Sequence, residues 1–302
     1  MTRRSLNSAG CHGHIGRMTN RTRIPESISS AITIVAALIA AIGIGVWPTR
    51  AEQLRKETAA AFDQYIQLKE TRNEHQIAER QAFLWIDALP TPIAREAYAK
   101  VKSGQVLTRR NEDCGTPDCT AIPSGLIHDW VGVVFVPGVS LARAISALQD
   151  YDRDADYYRP QVLKSKLLDG SGDVFHVFLR LKQVHVITVV LDTEYEVRYR
   201  YLDQTHAVSR SYSTRIAEVE NAGEANEHDR APGDDRGLLW RLYSYWRFYH
   251  ADGGTYIQCN AVSLTRDVPA GLGWLIQPFI QRIPSESLRF TLEATRSALV
   301  KK

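Results

Sequence analysis

The feature that most limits the fold is a long run of strands with no helix between them. From Gln161 the chain reads "QVLKSKLLDG", "VFHVFLRLK", "VHVITVVLDTEYEVRYRYLD" and "HAVSRSYSTRIAEVE", each bounded by a short polar turn. β-Branched and aromatic residues alternate there with polar ones, the period of a half-buried strand. Turns this short join antiparallel neighbours, because parallel strands need a crossover of a dozen residues or more. A loop of acids, glycine and proline follows at 221–236. Two further strands, Leu238–His250 and Thr255–Arg266, then meet at "ADGG", a hairpin signal. Such a sheet has one apolar face to bury, and the flanking segments must supply the cover.

Ahead of the run, "DWVGVVFVPG" is a short strand closed by Pro137-Gly138. "SLARAISALQDYDRDADYY" follows as a helix capped by Ser140, with Leu141, Ala144, Ile145, Leu148 and Tyr151 on one face. Its acidic end, Asp150 to Asp156, reads as a solvated helix terminus. It lacks the glycine and distal glutamate of a calcium loop. Behind the run, "GLGWLIQPFIQRIPSESLRFTLEATRSALVKK" is a helix interrupted at Pro278 and Pro284. Ser285 caps its last section, which runs through Leu288, Leu292 and Leu299. The order is strand, helix, antiparallel run, closing helix. This predicts an α+β fold in which a curved antiparallel sheet wraps the long C-terminal helix and encloses a space.

The N-terminal part is of another kind. Ile28–Trp47, "ISSAITIVAALIAAIGIGVW", carries no charge and is long enough to span a bilayer as a helix. Arginines crowd its N-terminal side, which places that end in the cytoplasm and the rest across the membrane. Thr49 and Ala51 also suit a cleavage site, so residues 1–51 read either as a signal peptide or as an uncleaved membrane anchor. In both cases the bulk of the chain is expected outside the cytoplasm, in the periplasm or beyond, or held at the inner membrane. Residues 52–108 read as a helical segment, broken at Pro90 and Pro92. Residues 109–125 form a linker, and 126–302 the main domain.

Charge argues against nucleic acid as a partner. Six of the 37 basic residues and one of the 34 acidic ones fall in residues 1–51, leaving 31 against 33 in the rest. A near-neutral domain lacks the basic footprint that binds phosphate backbones. In the linker, "CGTPDC" sets Cys114 and Cys119 across a turn, a candidate disulfide in an oxidising compartment. Cys259 lies in a strand as a small core residue. No H-E-x-x-H spacing, nucleophile elbow or P-loop is present. No metal or cofactor is implied, and no residue stands out as catalytic.

The order of elements resembles the START-like, helix-grip superfamily, which includes polyketide cyclases and coenzyme Q-binding proteins. The resemblance covers about Leu126 to Lys302. It is carried by "IHDWVGVVFVPG", "YDRDADYYRPQVLKSKLL", "GLLWRLYSYWRFYHADGGTYIQCNAVSLTRDVPAGLGWLIQPFI" and "IPSESLRFTLEATRSAL". Exported bacterial START-like proteins of unassigned role share this character. The resemblance implies a cavity for a hydrophobic small molecule such as a lipid, sterol or quinone, and it does not by itself imply an enzyme.

Strand alternation divides Leu239–His250 into two faces. One carries Trp240, Leu242, Ser244, Trp246 and Phe248, and should meet the closing helix or the cavity. The other carries Arg241, Tyr243, Tyr245, Arg247 and Tyr249, and suits the outside of the sheet. Candidate pocket residues are therefore Trp246, Phe248, Trp274, Phe279 and Phe290. Tyr245 and Arg247 join them as polar anchors if a bulge turns them inward. Loop 221–236 and the turn near Pro269 would gate entry. Arg180, Glu194, Glu196, Arg198, Arg210, Arg215 and Arg241 read as cross-strand ladders on the surface. The functional expectation is binding or transport of a hydrophobic small molecule. A cyclase- or aromatase-like enzyme and a membrane-associated scaffold are the alternatives.

Overall fold

The computed structural model describes residues 53–79, 82–111, 121–184, 188–231, 234–267 and 273–300. Side chains are described for these except at 121 and 273–281. The leader 1–51 and the Cys114–Cys119 pair lie outside the described residues. Among the described residues no helix is long and apolar enough to cross a membrane. Pro48–Lys302 form one compact unit.

Three helical pieces come first: α1 (Lys56–Glu79), a 3-10 turn at Trp85–Ala88, and α2 (Thr91–Lys102), which starts at Pro92 in its first turn. The expected linker contributes two short strands, β1 (Leu107–Arg110) and β2 (Ala121–Ile122). Next come β3 (Gly125–Pro137), α3 (Leu141–Leu148) and α4 (Asp154–Tyr157). Ser140 caps α3 as expected, its Oγ accepting from the Arg143 amide. The strand run follows as β4 (Val162–Ser171), β5 (Val174–Val184), β6 (Thr188–Tyr201) and β7 (His206–Glu220). A two-residue β8 (His228–Asp229) precedes β9 (Arg241–Ala251) and β10 (Gly254–Arg266). The last element, α5, runs from Gly273 to Val300 without the expected interruptions at Pro278 and Pro284.

All strands join one ten-stranded sheet in the order β1-β3-β10-β9-β7-β6-β5-β4, with β2 beside β3 and β8 beside β7. Every pairing is antiparallel. The first strand of the main domain, β3, thus pairs with the last, β10. A register shift at Glu194/Tyr195 adds curvature. The sheet curls until β5, next to the β4 edge, and the chain just ahead of the β1 edge meet the same stretch of α5. Gln183 at the end of β5 donates to Ser287 at 3.2 Å, while Arg289 donates to the Val106 carbonyl just before β1 at 2.9 Å.

Both faces of the central strands are covered. On the inner face, Val134, Val136, Phe248 and Ile257 pack with Leu288, Leu292 and Leu299 of α5. On the outer face, Phe62, Tyr65 and Ile66 of α1 pack on Ile127, Tyr245, Val262 and Leu264. Further along that face, Leu84, Ile86 and Val101 pack on Val133, Phe135 and Tyr256. This accounts for the near-continuous burial of β3 and β10, which would alternate if one face were wet.

Candidate functional site

The register of β9 is regular on both sides, so its side chains alternate between the two faces throughout. Leu242, Trp246 and Phe248 belong with the α5 side, whereas Tyr243, Tyr245 and Tyr249 belong with the α1 side. Trp240, expected with Trp246, packs instead beside Phe62 and Tyr65, ahead of the strand. No bulge turns Tyr245 or Arg247 inward, and neither reaches the space beneath α5. Trp274 and Phe279 lie on α5, with side chains outside the described set. Phe290 is half-buried on the same helix.

The outer face is not the solvated surface that its tyrosines and arginines suggest, because the helical segment covers it. Tyr245 and Arg247 are 8% and 6% exposed. The Arg247 guanidinium donates to the Phe83 carbonyl, to Asn73 and to Gln76. Burial lowers its pKa to about 10, with Asp87 and Glu74 opposing the shift. Tyr245 donates to Glu70 at 3.0 Å. Nearby, Asp129 accepts from Tyr65, Lys69 and Asn260, each at 2.6 Å. Beside these contacts lies a groove of about 600 Å³ between α1 and the outer face of β6, β7 and β9. Its charges are largely paired, Arg200 with Glu74 and Arg198 with Glu196, both at 2.8 Å. Further out, Arg215 pairs with Glu194 across β6 and β7 at 3.8 Å on the surface, as expected, whereas Arg180 is bidentate to the buried Asp192 at 2.7 Å instead of forming a surface ladder.

The space beneath α5 is built differently. Cross-strand registers set Val134, Ile257, Phe248 and Ala207 in one inner row, at 0–1% exposure. Two rows along, Trp130, Ala261, Ser244, Ser211, Val197 and Phe175 form a second row spanning the same sheet, and all but the buried Val197 are half-exposed. Packing against α5 is complete at the first row and incomplete at the second. Between them lie Cys259, Trp246, Ser209 and Tyr199. Trp246 stacks on Phe248 and donates its indole hydrogen to Ser244 at 3.0 Å. The surface is apolar and aromatic with isolated hydroxyls.

At its β6 side the space ends in a polar pit. The hydroxyls of Tyr151 and Tyr199 lie 3.0 Å apart, and Tyr158 meets Thr295 of α5 at 2.9 Å. Asp154 sits among them, 8% exposed. Burial is the main reason that all three tyrosines stay protonated well above their usual range, and Asp154 pushes each the same way. Burial, then the nearby Asp150, raises the Asp154 carboxyl to about 8. The acidic helix end was expected to be solvated, and Asp154 corrects that. The legible signal was spacing: Tyr151 and Tyr158 stand three before and four after it, on one helical face. Tyr199 carried no such signal. On the inner face of β3, burial and then Arg110 lower the His128 pKa to about 4, so the ring is neutral and meets Thr265 at 3.1 Å. Among the described residues no group of three or more His, Cys, Asp or Glu is placed to hold a metal ion.

No family model matches the chain, and no curated protein matches it. Similar solved structures include a STAR-related lipid transfer protein from Xanthomonas axonopodis. It is 15% identical over 64% of this chain and 98% of that one, with a TM-score of 0.40. The Zhui aromatase/cyclase from Streptomyces sp. R1128 is 14% identical over 57% of this chain and 93% of that one, with a TM-score of 0.39. A START superfamily protein from Mycobacterium smegmatis is 11% identical over 57% of this chain and 97% of that one, with a TM-score of 0.38.

Proposed function

We propose that this protein binds a largely apolar small molecule between the inner face of the sheet and α5. The half-exposed row Trp130, Ala261, Ser244, Ser211 and Phe175 carries the proposal. These side chains point toward the closing helix, yet they are not sealed as the row of Val134, Ile257, Phe248 and Ala207 is. Aromatic walls with a few placed hydroxyls suit a ligand whose surface is mostly hydrocarbon. Burying that surface provides roughly 25 cal/mol per Å². Ile28–Trp47 would take the domain across the membrane, as a cleaved leader or as an anchor.

Native mass spectrometry of the full chain from its own envelope fraction, followed by organic extraction, tests this. A co-purified lipid or quinone-like molecule is expected, displaced by Trp246→Arg. A bare chain that also takes up no added apolar probe overturns the proposal. A second reading, proton transfer on the bound molecule, is favoured by the buried Asp154 carboxyl. It requires the extracted compound to be altered when returned to fresh protein.

A further inference from the structure

Asp154 is buried, at 8% exposure, and among the described residues its carboxyl has no partner. The hydrogen bond from the Tyr158 amide goes to its backbone carbonyl instead, at 2.8 Å. The other polar groups of the pit are satisfied: Tyr151 with Tyr199, Tyr158 with Thr295, and Thr295 with the Thr291 carbonyl. Buried polar groups are almost always hydrogen-bonded; on this inner face the Ser209 Oγ and the Tyr195 hydroxyl also lack a partner, and Asp154 adds a carboxyl to them. Any hydrophobic or amide residue of similar size would avoid the cost of leaving a carboxyl unpaired.

We infer that Asp154 is the polar contact of the bound molecule, and that the molecule presents an uncharged oxygen, a carbonyl or a hydroxyl, to it. This rests on the cavity reading above and narrows its ligand class. The Tyr158 hydroxyl is committed to Thr295 and the Tyr151–Tyr199 bond leaves one hydroxyl hydrogen over, so Asp154 and that hydroxyl are the groups of the pit with hydrogen-bonding capacity to spare. Held near pH 8 by burial and by Asp150, the Asp154 carboxyl is mostly protonated at neutrality and can donate as well as accept. An anionic head group would meet the charge of Asp150, which already acts on the Asp154 carboxyl. Phe175 of the half-exposed row packs 5.6 Å from the Tyr151 ring and 5.8 Å from the Tyr199 ring, so the row runs up to the pit. A ligand lying along that row would reach Asp154 with one end.

The test uses the full chain and two probes of nearly equal shape, 2-acetylnaphthalene and 2-isopropylnaphthalene, titrated by tryptophan fluorescence. The ketone is expected to bind about five- to tenfold tighter, the worth of one hydrogen bond in a dry site. Asp154→Leu should bring that ratio to about one and leave the hydrocarbon's affinity within about twofold. Asp154→Asn, which can still donate, should retain most of the preference. Asp154→Leu should also raise Tm, because the carboxyl serves the ligand and not the fold. A fall in Tm overturns the inference, as does a ketone preference that survives Asp154→Leu. Equal binding of both probes to the unaltered chain overturns it as well, and so does tighter binding of a 2-naphthylmethylamine control. Binding of neither probe overturns the cavity reading together with it.

Discussion

Lys69 Nζ stands 2.6 Å from Asp129 Oδ2, with the two side chains 7% and 0% exposed. One is on α1 and the other on β3, so a charge pair inside the molecule fixes how the N-terminal helix lies on the sheet. Asp129 is fully served, by Tyr65 and Asn260 as well as by the lysine. Burial lowers the Lys69 pKa, and the aspartate opposes that shift. Removing one member strands the other's charge. Lys69→Met is therefore expected to destabilise the fold by about 3–5 kcal/mol. The double substitution Lys69→Met with Asp129→Leu should cost less than the sum of the two singles. Urea midpoints of the four chains measure this. Additive costs would show that the pair does not couple α1 to the sheet.

Arg247 belongs to that same interface and not to the ligand space. Arg247→Met removes three hydrogen bonds to Asn73, Gln76 and the Phe83 carbonyl. Hydrogen exchange should accelerate in the last turns of α1, around Asn73 and Gln76, and stability should fall by about 2–4 kcal/mol. Affinity for an apolar probe should change by less than about twofold, a difference too small to reflect a lost ligand bond. A tenfold loss of probe affinity with α1 still protected would return Arg247 to the role of ligand anchor.

Sequence pattern revealed the sheet because its signals are local. The "ADGG" turn places Asp252 and Gly253 at φ of 54° and 72°, a left-handed pair that suits the tight hairpin read from those residues. Turn length alone gave the hairpins from β4 to β7 and from β9 to β10, whereas the pairing of β3 with β10 is non-local and was not legible. What was not legible depends on partners distant in the chain. Lys69 continues the Phe62–Tyr65–Ile66 stripe, but it reads as a solvent residue until Asp129, sixty positions on, is known to face it. The tyrosines and arginines of β9 looked like an outer surface for the same reason: nothing local announces that a helix covers them. Asp154 shared its face with two tyrosines, a local sign outweighed by the run of acids around it.

Asp154 should leave a mark on the pH dependence of stability. Its folded value of about 8 lies above the ordinary 3.8. Between those values the folded chain keeps a proton that the unfolded chain gives up, so this group's contribution to stability falls as pH rises through the window. Tyr151, Tyr158 and Tyr199 stay neutral there, leaving Asp150, which pairs with Arg153 at 3.7 Å, as the charged group nearby. His128 acts in the opposite sense. Its folded value of about 4 lies below 6.5, so its contribution rises with pH across that range. Comparing the unaltered chain with Asp154→Asn cancels the histidine. The variant's relative stability is expected to climb from pH 4.5 to 8 and then level off, read from urea midpoints at each pH. Parallel curves would place the carboxyl in water.

Gly132 sets how closely α5 approaches the sheet, and with it the width of the space beside that contact. A Cβ at this position would lie 2.7 Å from Leu292 Cδ1, 3.0 Å from Thr108 Cγ2 and 3.2 Å from the Leu107 carbonyl oxygen. The leucine and threonine methyls can turn aside, but the carbonyl belongs to the β1–β3 ladder and cannot. Gly132→Ala is expected to cost about 1–3 kcal/mol by overpacking. Leu292→Ala alone should cost about 2–5 kcal/mol, since Leu292 is fully buried. Together they should be less harmful than their sum, because the truncated leucine vacates the volume that the new methyl needs. A coupling of about 1 kcal/mol or more in the double-mutant cycle is the expected reading. Gly132→Ala should also shift probe affinity, because α5 lifted at this contact changes the gap over Trp130 and Trp246. Additive stabilities with unchanged binding would mean that the helix is seated elsewhere and that Gly132 does not define the cavity.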